Sequence, residues 1–409
     1  RMPVYHYKAR DRSGKVLLAT MDAASEREVA SALRDRGLFV SEIKAPGRGL
    51  NAEIKLPAWL DPTRRPGARD VTLFSRQFAT VINAGLPVVQ SLAILQRQTE
   101  KEAFKNALRK VREDVETGVP LSDAIAKFPV IFNKLYVYLV KAGEASGNLD
   151  GILERVAAYL EKQAELRGKI RTALTYPTVV LVIAIGVTFF LLTGVVPQFA
   201  TILEQLGGEM PFITRALVGV SRFLQGFWWI LVFTVGLTMA AVRVWRRSED
   251  GRRVTDRWLL RLPVFGTLVQ KTAIANFAST FGLLLRSGVN IVEALDITKG
   301  AARNAIVEDI LDEAKDAVQR GEQISVTLVR HPVVFPPLVS SMTAIGEETG
   351  AVDAMMQKIS DFYEREVDEA VAGLTAALEP MMILFLGVIV GFIVAGMFVP
   401  MFSIIGELS

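Results

Sequence analysis

Residues Lys141-Ala-Gly-Glu-Ala-Ser-Gly-Asn-Leu-Asp150 return as Ala344-Ile-Gly-Glu-Glu-Thr-Gly-Ala-Val-Asp353, so Gly143, Glu144, Gly147 and Asp150 recur at Gly346, Glu347, Gly350 and Asp353. The offset of 203 residues (346 − 143) also carries Phe74 onto Phe277, Gly85 onto Gly288, Gly118 onto Gly321, Phe132 onto Phe335, Pro177 onto Pro380 and Pro197 onto Pro400 without a gap. Glycine, proline and aromatic positions fix turns and core contacts, so matches concentrated on them point to one unit present twice. The period is too long for a solenoid. It predicts a duplicated domain.

The duplication includes apolar segments. Between Arg171 and Glu204, Arg222 and Arg243, and Glu379 and Glu407 there is no Asp, Glu, Lys or Arg, and each gap holds the roughly 20 apolar residues that a spanning helix requires. The 20 positions from Pro177 to Pro197, and from Pro380 to Pro400, correspond to ~30 Å of helix, the thickness of the hydrocarbon layer. The prolines are expected to bracket the two membrane faces. Lys162, Arg167, Lys169 and Arg171 precede the first span and Arg243, Arg246, Arg247, Arg252, Arg253, Arg257 and Arg261 follow the second, whereas the connection between holds only Arg215 and Arg222. Basic residues stay on the cytoplasmic side, which predicts both helical domains there.

Outside the spans the pattern is helical from Asp70 onward. Leu73, Phe74, Phe78, Val81 and Ile82 share one face behind an Asp70 cap, Gly85 stops that helix, and further helices are expected near Lys101–Glu116, Ser122–Lys127, Phe132–Lys141 and Leu149–Arg171. Before Pro46, the alternation in Val4–Lys8, turn chemistry at Asp11–Gly14, a Ser25/Glu28 capping box and a stop at Gly37 predict two strands, a helix and a third strand. Arg1 and Met2 open this strand rather than an apolar leader, so no cleavable signal is expected.

The expected fold class is mostly α: two repeated cytoplasmic helical bundles, three transmembrane helices and a small N-terminal α+β module. Its order is the module over 1–45, a linker over 46–69 with a helical turn near Trp59, and a first helical domain over 70–171. A transmembrane helix over 172–198, an extracytoplasmic loop over 199–222 and a second transmembrane helix over 223–243 follow. A second helical domain over 244–374, a third transmembrane helix over 375–402 and an extracytoplasmic tail over 403–409 complete it.

Chemistry-bearing motifs are scarce. The absence of cysteine excludes disulfides and thiol catalysis, and only His6 and His331 are available as imidazoles. No phosphate loop, His-Glu-x-x-His or Gly-x-Ser-x-Gly is present, and the spans lack the buried charges of a proton relay. The formal charge of +4 reflects arginines beside the spans rather than a nucleic-acid site. Glu144 and Glu347 admit an acid–base role, but paired glycines mark a tight helix connection where a glutamate can instead accept hydrogen bonds from the N–H groups opening the Leu149 helix. Glu379 beside Pro380 could meet headgroup water or an arginine of a neighbouring subunit. Trp228, Trp229 and Trp245 suit interface anchors, and the charged runs in Lys101–Glu116 and Ala305–Arg320 suit solvated faces or a docking partner.

Several motifs together resemble the PilC/GspF family, the inner-membrane platform proteins of type IV pilus and type II secretion machines. They are Tyr5-x-Tyr7-Lys-Ala-Arg-Asp11-x-x-Gly14, Phe74-Ser-Arg-Gln-Phe-Ala-Thr80 with Gly85-Leu-Pro87, the two Gly-Glu-x-x-Gly turns, Thr175-Tyr-Pro177, Val195-Val-Pro-Gln-Phe199 and Leu262-Pro-Val-Phe-Gly266. The resemblance implies a non-enzymatic scaffold in the bacterial inner membrane that couples a cytoplasmic hexameric assembly ATPase to the insertion or extraction of pilin or pseudopilin subunits. It also implies contact with other inner-membrane assembly proteins and self-association as a dimer or higher oligomer. Asp35-Arg-Gly-Leu-Phe-Val40 and Val196–Glu204 are more similar to the pilus branch than to the secretion branch. Some secretion members hold calcium through three acidic side chains at positions matching Glu100, Glu154 and Ala158. Alanine cannot ligate, so no cofactor is expected, although Asp150, one turn before Glu154, leaves calcium open. A channel or permease is the rival from another class, since transporters also repeat their spans.

Overall fold

The computed structural model describes residues 4–10, 16–23, 26–35, 39–44, 66–205, 211–263, 265–302 and 304–408. The chain divides into two compact units, Arg1–Arg65 and Pro66–Ser409. In the first, β1 (Val4–Arg10), β2 (Val16–Asp22), α1 (Glu26–Asp35) and β3 (Phe39–Lys44) form an antiparallel sheet of order β2-β1-β3, with α1 packed on β3 and β1. Val29 and Leu33, one helical turn apart, are fully buried, as is Ala9 of β1. The turn at Asp11–Gly14, the cap at Ser25, the stop at Gly37 and the helical turn near Trp59 lie outside the described residues.

The second unit opens with α2 (Ala68–Asn83), α3 (Val88–Gln98), α4 (Glu102–Glu116), α5 (Leu121–Ala126), α6 (Lys134–Ser146) and α7 (Leu149–Phe190). A π-helical turn (Leu191–Val195), α8 (Val196–Gln205), α9 (Phe212–Trp245) and α10 (Glu249–Arg261) lead to the repeat, α11 (Phe265–Arg286), α12 (Ile291–Ala302), α13 (Ala305–Gln319), α14 (Ile324–Arg330), α15 (Pro337–Thr349) and α16 (Val352–Leu408). Asp70 stands one turn inside α2 rather than at its cap. From there its carboxylate accepts the Gly67 N–H at 2.6 Å and pairs with Lys101 at 2.6 Å. Burial raises the Asp70 carboxyl, but those two donors outweigh it and hold it below its ordinary range.

The offset of 203 persists in three dimensions. The six glycines of positive φ among the described residues form three pairs, Gly85 with Gly288, Gly118 with Gly321, and Gly147 with Gly350. Each bundle core is aromatic at the same places. Phe74 stacks on Phe78 at 5.5 Å and meets Phe132 edge-on at 6.0 Å, while Phe277 stacks on Phe281 at 5.6 Å and meets Phe335 at 5.4 Å. The copies differ together where they differ. Tyr136, whose hydroxyl lies 3.3 Å from the Ser75 hydroxyl, corresponds to Val339, and Ser75 corresponds to Ala278. Burial pushes the Tyr136 hydroxyl up to about 12, against the opposing Ser75 hydrogen bond.

Both copies end in one uninterrupted rod. Helix α7, the π-helical turn and α8 run from Leu149 to Gln205, and α16 runs from Val352 to Leu408, each roughly 80 Å long at 1.5 Å per residue. Their beginnings lie in the bundle cores, where Ile152, Leu153, Met356 and Ile359 are buried. Further along they are sheathed in exposed apolar side chains such as Val182, Phe190, Leu384 and Val388. Together with α9 they make three helices long and apolar enough to cross a membrane. Of the expected loop at 199–222, α8 and the first turns of α9 are helical, because Val196, Ala200, Leu217 and Val218 bury one another against Ile393.

Pro177, Pro197, Pro380 and Pro400 all stand inside continuous helix. Val196 N–H steps back to Leu191 C=O and Pro197 has no N–H, so the carbonyls of Leu192 and Thr193 lose their amide donors. Ser221 Oγ and Gln225 Nε2 of α9 donate to them at 2.5 and 2.7 Å. Pro400 frees the carbonyl of Gly396, and Thr214 Oγ1 of α9 donates to it at 2.7 Å. Two prolines at equivalent places in the repeat are thus both served by α9, the span without a counterpart. Thr214→Val and Gln225→Leu should each cost about 1 kcal/mol, read as a lower unfolding midpoint in mixed detergent micelles. An unchanged midpoint in both variants would show that these donors do not stabilise the spans.

Candidate functional site

The Gly-Glu-x-x-Gly turns join α6 to α7 and α15 to α16. Gly147 and Gly350 close α6 and α15 in left-handed conformation, with φ of 70° and 69°. At Gly143 and Gly346 the next helix passes so close that a Cβ would lie 3.1 Å from Ile152 Cβ and 2.9 Å from Val352 Cα. The glutamates act on a different helix from the expected one. Glu144 accepts the N–H groups of Leu121 and Ser122 at 2.5 and 3.0 Å, and Glu347 those of Ile324 and Ser325 at 2.5 and 3.1 Å. Each carboxylate therefore caps the short helix α5 or α14, which leads with an apolar residue and offers no cap of its own. The α7 start is served instead by Asn148, which accepts the Gly151 N–H. With both oxygens of each glutamate engaged by backbone donors, these residues are built to hold helices.

The two rods meet along a polar seam. Lys162 of α7 pairs with Asp361 and Glu364 of α16 at 3.2 and 2.9 Å, and Lys169 pairs with Asp368 at 2.8 Å. Beside them, Tyr159 and Thr280 hydroxyls lie 3.0 Å apart, Gln163 donates to Asn276 at 2.8 Å, and Lys271 pairs with Glu366 at 2.5 Å. Lys162, Lys169, Gln163, Asn276, Asp361, Glu364 and Asp368 line an open groove of about 400 Å³. Closer to the spans the contact turns apolar, with Leu268, Val367, Val371 and Leu374 buried beside Ile170 and Leu174. The seam was hidden in the sequence by its long separations. One signal was present: Lys162 and Lys169 share the seven-residue spacing of Asp361 and Asp368.

The positions matching the calcium site do not converge on a cation. Glu100 and Ala158 are exposed, Asp150 is exposed, and Glu154 is paired with Arg76, whose guanidinium also grips Glu161 at 2.7 and 2.5 Å. Arg76 itself supplies the positive charge at Glu154, and no group of three or more His, Asp or Glu side chains suited to a metal occurs among the described residues. Pro177 is buried inside α7, and Pro380 is exposed inside α16 next to the exposed Glu379.

These features define a polytopic membrane protein in which one helical bundle, continuous with an apolar span, occurs twice. The chain belongs to the type II secretion system protein F family: the model for "Type II secretion system (T2SS), protein F" matches residues 74–197 and 277–400, and that for its N-terminal domain matches residues 2–44. The two matches stand at the same 203-residue offset. A Thermus thermophilus protein named type IV pilus assembly protein PilC is 59% identical over 408 residues, covering 100% of both chains. A Myxococcus xanthus protein of that name is 37% identical, over 98% of this chain and 95% of its own. A type II secretion system protein F of Xanthomonas campestris is 35% identical, over 98% and 99%.

Removing either cap should destabilise its own bundle. Glu144→Ala and Glu347→Ala are each expected to cost about 1–3 kcal/mol, since two part-buried N–H groups lose their acceptor, with a smaller loss for Glu→Gln. Thermal unfolding followed by circular dichroism checks this, and unchanged midpoints would contradict the capping role.

Proposed function

We propose that the chain is the platform protein of a type IV pilus machine in a bacterial inner membrane, coupling a cytoplasmic assembly ATPase to the insertion or extraction of pilin subunits. The observation that carries this is the pair of continuous rods, each rooted in a bundle and ending in lipid-facing side chains, tied to one another by a charged seam. Work done on a bundle reaches the spans without a flexible joint, which is what a non-motor component between an ATPase and membrane-embedded subunits must provide. The names of the relatives support the pilus over the secretion branch, the 59% identical protein being a pilus one. A channel or permease is not favoured, since the spans hold no charged relay and no interrupted helix of the transporter type.

Sidedness follows from charge. Arginines and lysines at the bundle ends of the spans keep both bundles cytoplasmic, with the α8–α9 connection outside. Because the chain has no cysteine, single cysteines report this cleanly. Glu249→Cys should react with a membrane-impermeant maleimide only after permeabilisation, and Thr201→Cys in intact cells. The reverse pattern would refute the orientation.

Charge reversal tests the coupling. In a strain lacking the native gene, Lys162→Glu with Lys169→Glu should abolish surface filaments and twitching while secreted enzymes are unaffected, and adding Asp361→Lys with Asp368→Lys should restore filaments. Normal filaments in the Lys162→Glu, Lys169→Glu variant, or loss of secretion with filaments intact, would overturn this function.

A further inference from the structure

The seven arginines after the second span are more than a topology signal, because α10 sorts by face the four that it carries. On one side, Asp256, 3% exposed, accepts the Ala305 N–H at 2.9 Å and pairs with Arg246 at 3.0 Å. Arg252 pairs there with Glu308, and Arg253 with Asp309 at 3.0 Å. This side seats α10 on the start of α13. On the other side Val254, Trp258 and Leu262 follow at four-residue spacing, all exposed, with Trp258 66% accessible. Arg261 flanks that stripe and Arg257, one turn after Arg253, stands at its edge, both exposed and with no ionic partner among the described residues. An unpaired stripe of one tryptophan, two aliphatic residues and two arginines is costly to leave in water and fits the boundary between headgroups and acyl chains.

The position of α10 along the chain supplies the occupant. Helix α9 ends at Trp245 and α10 begins at Glu249, four steps that reach at most about 14 Å. A helix tethered so closely to a span starts at the bilayer surface. Arg243 and Arg247, exposed and likewise without an ionic partner among the described residues, flank that start. Four free cations beside an exposed tryptophan match an anionic lipid surface in charge and in depth.

We propose that α10 is an interfacial helix whose Val254–Trp258–Leu262 face, with Arg257 and Arg261, binds anionic phospholipid headgroups and so seats the second bundle on the membrane. This rests on the chain crossing the bilayer. Membrane attachment of α10 would reach the bundle through Arg252–Glu308, Arg253–Asp309 and the Asp256 cap of α13. The second bundle would then be fixed relative to the bilayer by a contact that does not pass through α16.

The test uses the full chain with Trp258 as its only tryptophan, the other four replaced by phenylalanine, in vesicles of phosphatidylcholine with or without phosphatidylglycerol. Bromine near the headgroup end of the acyl chains reports contact. Bromolipid should quench Trp258 by roughly half when anionic lipid is present, and markedly less without it or after Arg257→Gln with Arg261→Gln. Quenching by aqueous acrylamide but not by bromolipid would overturn the proposal in favour of solvent. Shielding from both quenchers would overturn it in favour of a protein partner, and quenching indifferent to lipid charge and to the arginines would remove the headgroup specificity. A companion chain keeping only Trp228, within the second span, separates the two levels. If bromolipid quenches Trp228 but not Trp258, this inference alone fails; if Trp228 is untouched, the membrane-spanning reading fails with it.

Discussion

Hydrocarbon offers no water to a backbone carbonyl, so the carbonyls freed at Pro197 and Pro400 need donors from elsewhere in the protein. That requirement gives a reason for Thr214, Ser221 and Gln225 of α9. Each meets a carbonyl deprived by Pro197 or Pro400. The duplicated unit could not close its own proline sites, and the single span that is not duplicated does so for both copies. The helix continues through those places with the freed carbonyls satisfied.

The two copies kept what each bundle needs to fold and changed the faces by which the rods meet. Left-handed glycines, the aromatic stack and the carboxylate caps of α5 and α14 occur in both. The rods diverged at two of the four seam places: Lys169 corresponds to Ala372 and Asp361 to Ala158, whereas Lys162 and Asp368 keep their sign as Arg365 and Glu165. Two copies of the first rod would set Lys162 against Ala158, whereas the diverged pair forms both lysine–aspartate contacts. Arg76 shows the same divergence, since its clamp on Glu154 and Glu161 has Ser279 and Gln357 at the corresponding places in the second copy. Exposed ion pairs of this kind are worth little one by one, and their value lies in fixing register.

Much of this was legible in the sequence for a definite reason. Gly143, Gly147 and their counterparts stand where backbone conformation and close helix approach admit no other residue, so the repeat survives in residue types that are easy to see. Charge-free gaps marked the spans because lipid excludes charge. The partners of Glu144 and Glu347 were not legible, because each carboxylate reaches back 23 residues to a helix that had no visible cap of its own. The donors at Pro197 and Pro400 were likewise hidden, because Thr214, Ser221 and Gln225 stand on a different helix from the carbonyls they serve. The seam joins residues 199 apart in sequence, beyond the reach of any local pattern.

Rigid continuity from bundle to bilayer is the property on which the proposed coupling depends, and distance measurements along one rod address it directly. Spin labels at Glu165→Cys and Phe190→Cys of α7, in an otherwise cysteine-free chain reconstituted in lipid, should give a single narrow distribution near ~37 Å, the rise of 25 helical residues. A broad or two-peaked distribution, or a markedly shorter distance, would mean that the helix breaks between bundle and span and cannot carry force across that junction.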